Sequence, residues 1–142
     1  MIEFEKLAVE ANEKEIISLL DAHQIEATGV AQHIPIDFSL AAYEDGTYIG
    51  GITASNWMNT THVSLLAIDK NYRKHGLGSK LLIQAEQFAQ EQQAEIITIS
   101  TQDYQAKGFY EKHGYTVFGQ LADSPFKGTT KYYLEKRLTT TI

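Results

Sequence analysis

The chain has 142 residues, with 12 Lys and Arg against 18 Asp and Glu, a net charge of −6, and no cysteine. That length suits one domain, residues 1–142, with a core of its own, and the missing thiols exclude disulfides, thiol catalysis and zinc–thiolate sites. The acidic balance argues against nucleic acid as the main partner, and no apolar run nears the roughly 20 residues that span a bilayer, so no membrane partner is expected.

The opening "MIEFEKLAVEANEKE" is acidic and lacks the basic flank and apolar run of a secretion signal, so a soluble, cytoplasmic protein is expected. Asn12 with Glu15 three positions on has the form of a capping box. Behind it Ile16, Leu19, Leu20 and His23 share one helical face, and Gly29 suits the end. A connector through Pro35 leads to "DFSLAAYEDGTYIGGITASNW", two strands around the hairpin signal Asp45-Gly46. "HVSLLAID", 62 to 69, is a third strand whose apolar centre predicts cover on both faces. Leu77, Leu81, Leu82, Ala85, Phe88 and Ala89 then mark an amphipathic helix of about four turns. "EIITIST", 95 to 101, is a β-branched strand. Asp103 is placed to cap a further helix with Ala106, Phe109, Tyr110 and His113 on one face, and Gly114 to stop it. "YTVFGQL" and "TKYYLEKRL" are closing strands on either side of the loop "ADSPFKG". The expected fold is α/β: a mixed, mostly antiparallel sheet with a central parallel strand–helix–strand unit and helices on both faces.

The junction "NYRKHGLGSKLL" reads either as a plain basic, glycine-containing turn or as a cradle for phosphate. It follows an apolar strand and opens a helix, whose first N–H groups lack internal partners and stand at the positive end of the dipole. A pyrophosphate suits both. Gly76 and Gly78 let it approach the backbone, and Arg73 and Lys74 add charge, with Arg able to bind phosphate bidentately. Other phosphate loops fit poorly: Leu81 stands where the dinucleotide fingerprint needs a third glycine, and Gly78-Ser79-Lys80 lacks the spacing of a nucleoside-triphosphate loop.

Arg73-x-x-Gly76-x-Gly78 after a strand, with "KGFYEKHGY" following at 107 to 115, resembles the two cofactor motifs of the GNAT superfamily of N-acyltransferases. The resemblance covers roughly residues 36 to 137. It implies acetyl-CoA as cosubstrate, held by Leu66, Ala67, Ile68, Arg73, Lys74, His75, Gly76, Leu77, Gly78, Ser79 and Phe109. It also implies that the third and fourth strands splay apart, with the pantetheine arm in the gap. The acetyl group passes by direct attack to a primary amine of a small molecule or peptide, so no protein nucleophile is needed. Tyr110 matches the tyrosine that commonly protonates the leaving thiolate, although its helix face also allows a packing role. A phenol near pKa ~10 is a reasonable donor to a thiolate near ~8.5.

The base is open among His62, Glu44, Asp69 and Asp103, directly or through water. No pair of the five histidines has metal-ligand spacing, so no metal is expected. The acceptor pocket is expected from the first helix and its connector, the 54 to 62 turn and the 122 to 128 loop, with Trp57 either lining it or covering the sheet edge. Tyr132 and Tyr133 point to opposite faces of the last strand, so one at most faces that pocket. Two alternatives stand beside the transferase: a non-catalytic acyl-CoA sensor or partner-binding module of the same fold, and another nucleotide-binding α/β domain. The acceptor, the acyl length and the oligomeric state, a homodimer included, are not legible.

Overall fold

A computed structural model describes residues 1–31 and 34–138. Gln32 and His33 of the connector lie outside the described residues. The chain divides into two units, Met1–Ile34 and Pro35–Ile142.

The first unit holds helix α1, Val9–Thr28. It starts earlier than the Asn12 cap predicts. The cap position is Ala8, and the Asn12 N–H donates to the Ala8 carbonyl at 2.9 Å, so Asn12 is inside the first turn. Val9, Glu10 and Ala11 carry the helix past the polar residue, with Glu and Ala among the strongest helix formers. The other end is as expected. Gly29 sits at φ +75° and its N–H donates to the Ile25 carbonyl. No residue of α1 is buried.

The second unit begins with β1 (Ile36–Glu44) and β2 (Thr47–Trp57). Asp45 and Gly46 join them at φ 48° and 81°, both positive, as a two-residue hairpin turn of the primed type requires. Next come β3 (Thr60–Ile68), a 3₁₀ turn (Lys70–Tyr72), α2 (Leu77–Glu91), β4 (Ile96–Gln102), α3 (Lys107–Lys112), β5 (Thr116–Ala122) and β6 (Thr130–Arg137). The six strands form one sheet in the order β1-β2-β3-β4-β6-β5. All neighbours are antiparallel except β3 and β4, which the α2 crossover makes parallel.

α2 buries Leu81, Leu82, Ala85, Phe88 and Ala89. These meet Ile52, Ala54, Val63, Ile97, Ile99 and Leu134 from the sheet, and Tyr110 and Tyr115 from α3 and the turn after it. Burying each large side chain contributes about 1.5–3 kcal/mol, so this cluster fixes α2 and α3 against the sheet.

Burial along β3 alternates at first. Thr61 and Val63 are buried, whereas His62, Ser64, Leu65 and Ala67 are exposed. A bulge then shifts the pattern. Thr53 pairs with Leu65 and Ala54 with Val63, leaving Ser64 as an extra residue. The alternation therefore resets, and Leu66 and Ile68, rather than Leu65, pack on the core.

The same bulge marks where β3 leaves β4. The two strands pair only over Thr60–Val63 with Ile96–Ile99. Beyond that β3 runs on to Ile68 and β4 to Gln102, β4 still paired with β6. A wedge-shaped gap opens between two strand ends whose facing edges do not bond each other.

Candidate active site

At the end of β3 the chain turns sharply. The Asp69 carboxylate accepts from the Asn71 N–H at 2.9 Å and caps the 3₁₀ turn. Lys74 and Gly76 both take left-handed conformations, φ 73° and 75°. Gly76 takes this conformation without the about 1–2 kcal/mol it costs other residues, Lys74 among them. A side chain there would meet nothing within 4 Å. The first backbone bond into α2 runs from the Lys80 N–H to the Gly76 carbonyl, 3.1 Å. The N–H groups of Leu77, Gly78 and Ser79 therefore have no acceptor within the helix and form its positive end. Arg73, Lys74, His75 and Gly76 are exposed beside them. Arg73 also reaches back, its Nε donating to the Ile68 carbonyl at 3.3 Å.

Leu66, Ala67 and Ile68 lie on the part of β3 that borders the gap. β2 holds this end closely. A Cβ on Gly50 would stand 2.8 Å from Ile68 Cδ1 and 3.0 Å from the Ala67 carbonyl oxygen.

α3 closes the other side. A Cβ on Gly78 would stand 3.4 Å from Cζ of Phe109, so Gly78 serves as the seat of that ring. Gly108, by contrast, has open space around it and lies in the first turn of α3. Tyr110 is 6% exposed and lies edge-on to Phe109 (5.2 Å) and Tyr115 (5.9 Å). Burial pushes its phenol up to about 12, and its hydroxyl makes no hydrogen bond among the described residues. It is both packed and unengaged at its polar end.

The four base candidates separate clearly. Asp103 does not cap α3, whose N-cap is Ala106. It accepts instead from the Thr130 N–H at 3.1 Å and ties the end of β4 to β6. Asp69 caps the turn, and Glu44 lies against the Tyr72 phenol, whose pKa its charge raises. His62 stands opposite Thr98, one rung before the last paired rung of β3 and β4. Its Nδ1 is 2.9 Å from Thr98 Oγ1, and its Nε2 makes no hydrogen bond among the described residues. The residue is exposed as a whole, yet its ring is partly desolvated. That desolvation, with the charge of Lys131, lowers the pKa below 6.5. By strand alternation His62 projects to the face opposite that of Val63, which belongs to the core cluster with Tyr110.

Trp57 stands at the β2–β3 hairpin, whose two-residue loop is Met58–Asn59. This is the far end of β3 from the gap, so Trp57 does not border it. Tyr132 and Tyr133 do face opposite ways: Tyr132 packs on the core cluster, and Tyr133 lies against Phe118.

Sequence reading missed three side-chain contacts and one buried acceptor. Ser79 Oγ is 2.9 Å from His113 Nε2. Glu86 accepts from the Tyr115 hydroxyl at 3.0 Å and from Lys136 Nζ at 2.9 Å. Gln102, the last residue of β4, buries its Oε1 with no partner among the described residues. Only partner positions in the fold reveal these, since 34 and 29 residues separate the first two pairs. No group of three His, Asp or Glu able to hold a metal occurs among the described residues, and no helix there is long and apolar enough to cross a membrane.

Residues 4–115 match the model of the acetyltransferase (GNAT) family. The match takes in α1, which the sequence motifs do not reach, and stops before β5. The blasticidin-S acetyltransferase of Streptomyces morookaense is 35% identical over 109 residues, 76% of this chain and 79% of that protein. The crystal structure of a Bacillus cereus acetyltransferase superposes with a TM-score of 0.83 at 28% identity, covering 96% of this chain and 98% of that one. A streptothricin acetyltransferase structure from Bacillus anthracis, in complex with acetyl coenzyme A, superposes with a TM-score of 0.65 at 27% identity, over 75% of this chain and 65% of that one. With the splayed parallel pair and the glycine turn between them already in place, these matches settle the family: the chain belongs to the GNAT acetyltransferases, acyl-CoA-dependent N-acyltransferases.

Proposed function

We propose that this enzyme transfers the acetyl group of acetyl-CoA to a primary amine of a small molecule by direct attack within a ternary complex. The observation that carries this reading is the gap between β3 and β4 with a free helix N-terminus at its head. The pyrophosphate sits on the N–H groups of Gly76 to Ser79, with Arg73, Lys74 and His75 around it. The pantetheine arm runs down the gap beside Leu66, Ala67 and Ile68, with Phe109 against it. A β3 N–H bordering the gap stabilises the tetrahedral oxyanion.

His62, one rung before the gap, acts as the base, and Tyr110, of the core cluster on the other face, acts as a hydrogen-bond donor. Nε2 of His62, neutral at physiological pH because its pKa is lowered, takes the proton of the attacking amine. The amine lone pair forms the C–N bond, the C–S bond breaks, and Tyr110 donates a hydrogen bond to the thiolate as it leaves.

The relatives point to amine-bearing antibiotics as the first acceptors to try. The test is free-thiol release from acetyl-CoA with blasticidin S, streptothricin, polyamines and amino acids. Acceptor-dependent release with an N-acetylated product supports the reading. Tight CoA binding without release from any of them refutes it in favour of a sensor.

A further inference from the structure

We propose that His113 is a positioning residue, fastening the helix that carries Tyr110 to the turn that grips the cofactor. This rests on the cofactor placement above. α3 is six residues long and has no side-chain cap at its start. Its Lys107–Glu111 pair, 3.7 Å apart, is solvent-exposed and holds little. Its place is therefore set by docking, and the docking runs through the first turn of α2. The Phe109 ring seats against Gly78. The His113 ring packs on Phe109 at 4.8 Å and reaches Ser79 with Nε2. Both Ser79 and His113 are partly buried, so the bond is sheltered from water. Tyr110 lies on the same helix between this anchor and the Tyr115–Glu86 bond.

The donor order is set by the tautomer, which the proposed chain of contacts requires to be Nε2–H. An imidazole donating from Nε2–H makes the Ser79 oxygen an acceptor, and the hydroxyl hydrogen is then left to donate outward. A phosphate oxygen at the helix N-terminus is the partner it meets. Cofactor phosphate, Ser79, His113 and α3 thus form one chain of contacts, and binding at the turn orders the helix that carries the phenol.

The test is hydrogen exchange of the full chain with and without coenzyme A, alongside calorimetry with coenzyme A. In the unaltered protein the ligand is expected to slow exchange both at residues 73–79 and at 107–113. In His113→Ala and in Ser79→Ala, protection at 73–79 remains and that at 107–113 is lost. Affinity falls about fivefold, as for one net hydrogen bond. The double variant is no worse than either single one, and His113→Gln restores part of the protection. With an acceptor, His113→Ala lowers kcat, but not further once Tyr110 is Phe. Coenzyme A that protects 73–79 while leaving 107–113 unchanged in the unaltered protein overturns the proposal and leaves the cofactor site standing. So do additive effects of Ser79→Ala and His113→Ala. No binding at all removes both.

Discussion

Replacing Tyr110 by Phe separates packing from chemistry. The phenol sits at about 12 because burial disfavours its anion. Two units above the ordinary 10 correspond to about 2.7 kcal/mol against ionisation. Full proton transfer to a thiolate near 8.5 is then uphill by roughly 5 kcal/mol, so the phenol acts as a hydrogen-bond donor to the departing sulfur and keeps its proton. A hydrogen bond to a charged group contributes about 1.5–3 kcal/mol, which is roughly 10- to 150-fold in rate. In the free protein the hydroxyl bonds to nothing among the described residues. Its loss should change unfolding free energy by less than about 0.5 kcal/mol and leave coenzyme A affinity intact. The assay is kcat from thiol release with the first acceptor that turns over, beside thermal melting and calorimetry. A kcat within threefold of the unaltered enzyme refutes the assignment, as does a fall matched by lost cofactor affinity.

Three further outcomes are expected. Gly76→Asp adds left-handed strain of about 1–2 kcal/mol and a negative charge where the pyrophosphate sits; calorimetry should show coenzyme A binding abolished in a protein that still melts cooperatively. Gly50→Ala meets the Ala67 carbonyl oxygen, which the backbone cannot swing aside; at about 1–3 kcal/mol of overpacking, melting should fall by several degrees and cofactor affinity with it. His62, with its pKa lowered below 6.5, stays unprotonated until the pH drops under that value. At saturating acceptor, kcat should hold from neutrality down to about pH 6.5 and fall below it, and His62→Gln should lower kcat and remove that limb. The sign for stability is the same. The unfolded histidine takes its proton first as pH falls, so this residue's contribution is present above 6.5 and lost as pH falls through the folded value. Tyr110 adds no alkaline limb below pH 10, because its raised pKa keeps it protonated in the folded enzyme.

Local signals with strict geometry were legible. Asp45-Gly46 demanded a hairpin turn, the spacing of Leu81, Leu82, Ala85, Phe88 and Ala89 demanded a helix on a core, and Gly29 and Gly114 stopped their helices at positive φ. The order of elements followed. Signals that depend on competition were not. Asn12 and Asp103 both resemble caps, but neighbouring helix formers pulled α1 past the first, and the Thr130 backbone claimed the second. The apolar run of β3 does not show which of its residues face the core, because the extra residue, Ser64, is invisible without its partner strand. That bulge is also where the gap opens, so the most informative feature of the candidate site was inferred by resemblance and not from the residues. The Ser79–His113 and Glu86–Tyr115 contacts join motifs far apart in the chain, and only the packing of α3 on α2 brings them together.

The most direct test is a crystal structure with acetyl-CoA. The pyrophosphate should be bound by the N–H groups between Gly76 and Ser79, and the thioester should lie between β3 and β4 with Tyr110 on its sulfur side and His62 across from it. A cofactor bound elsewhere, or a gap closed by pairing of Leu65–Ile68 with Ser100–Gln102, would contradict the account.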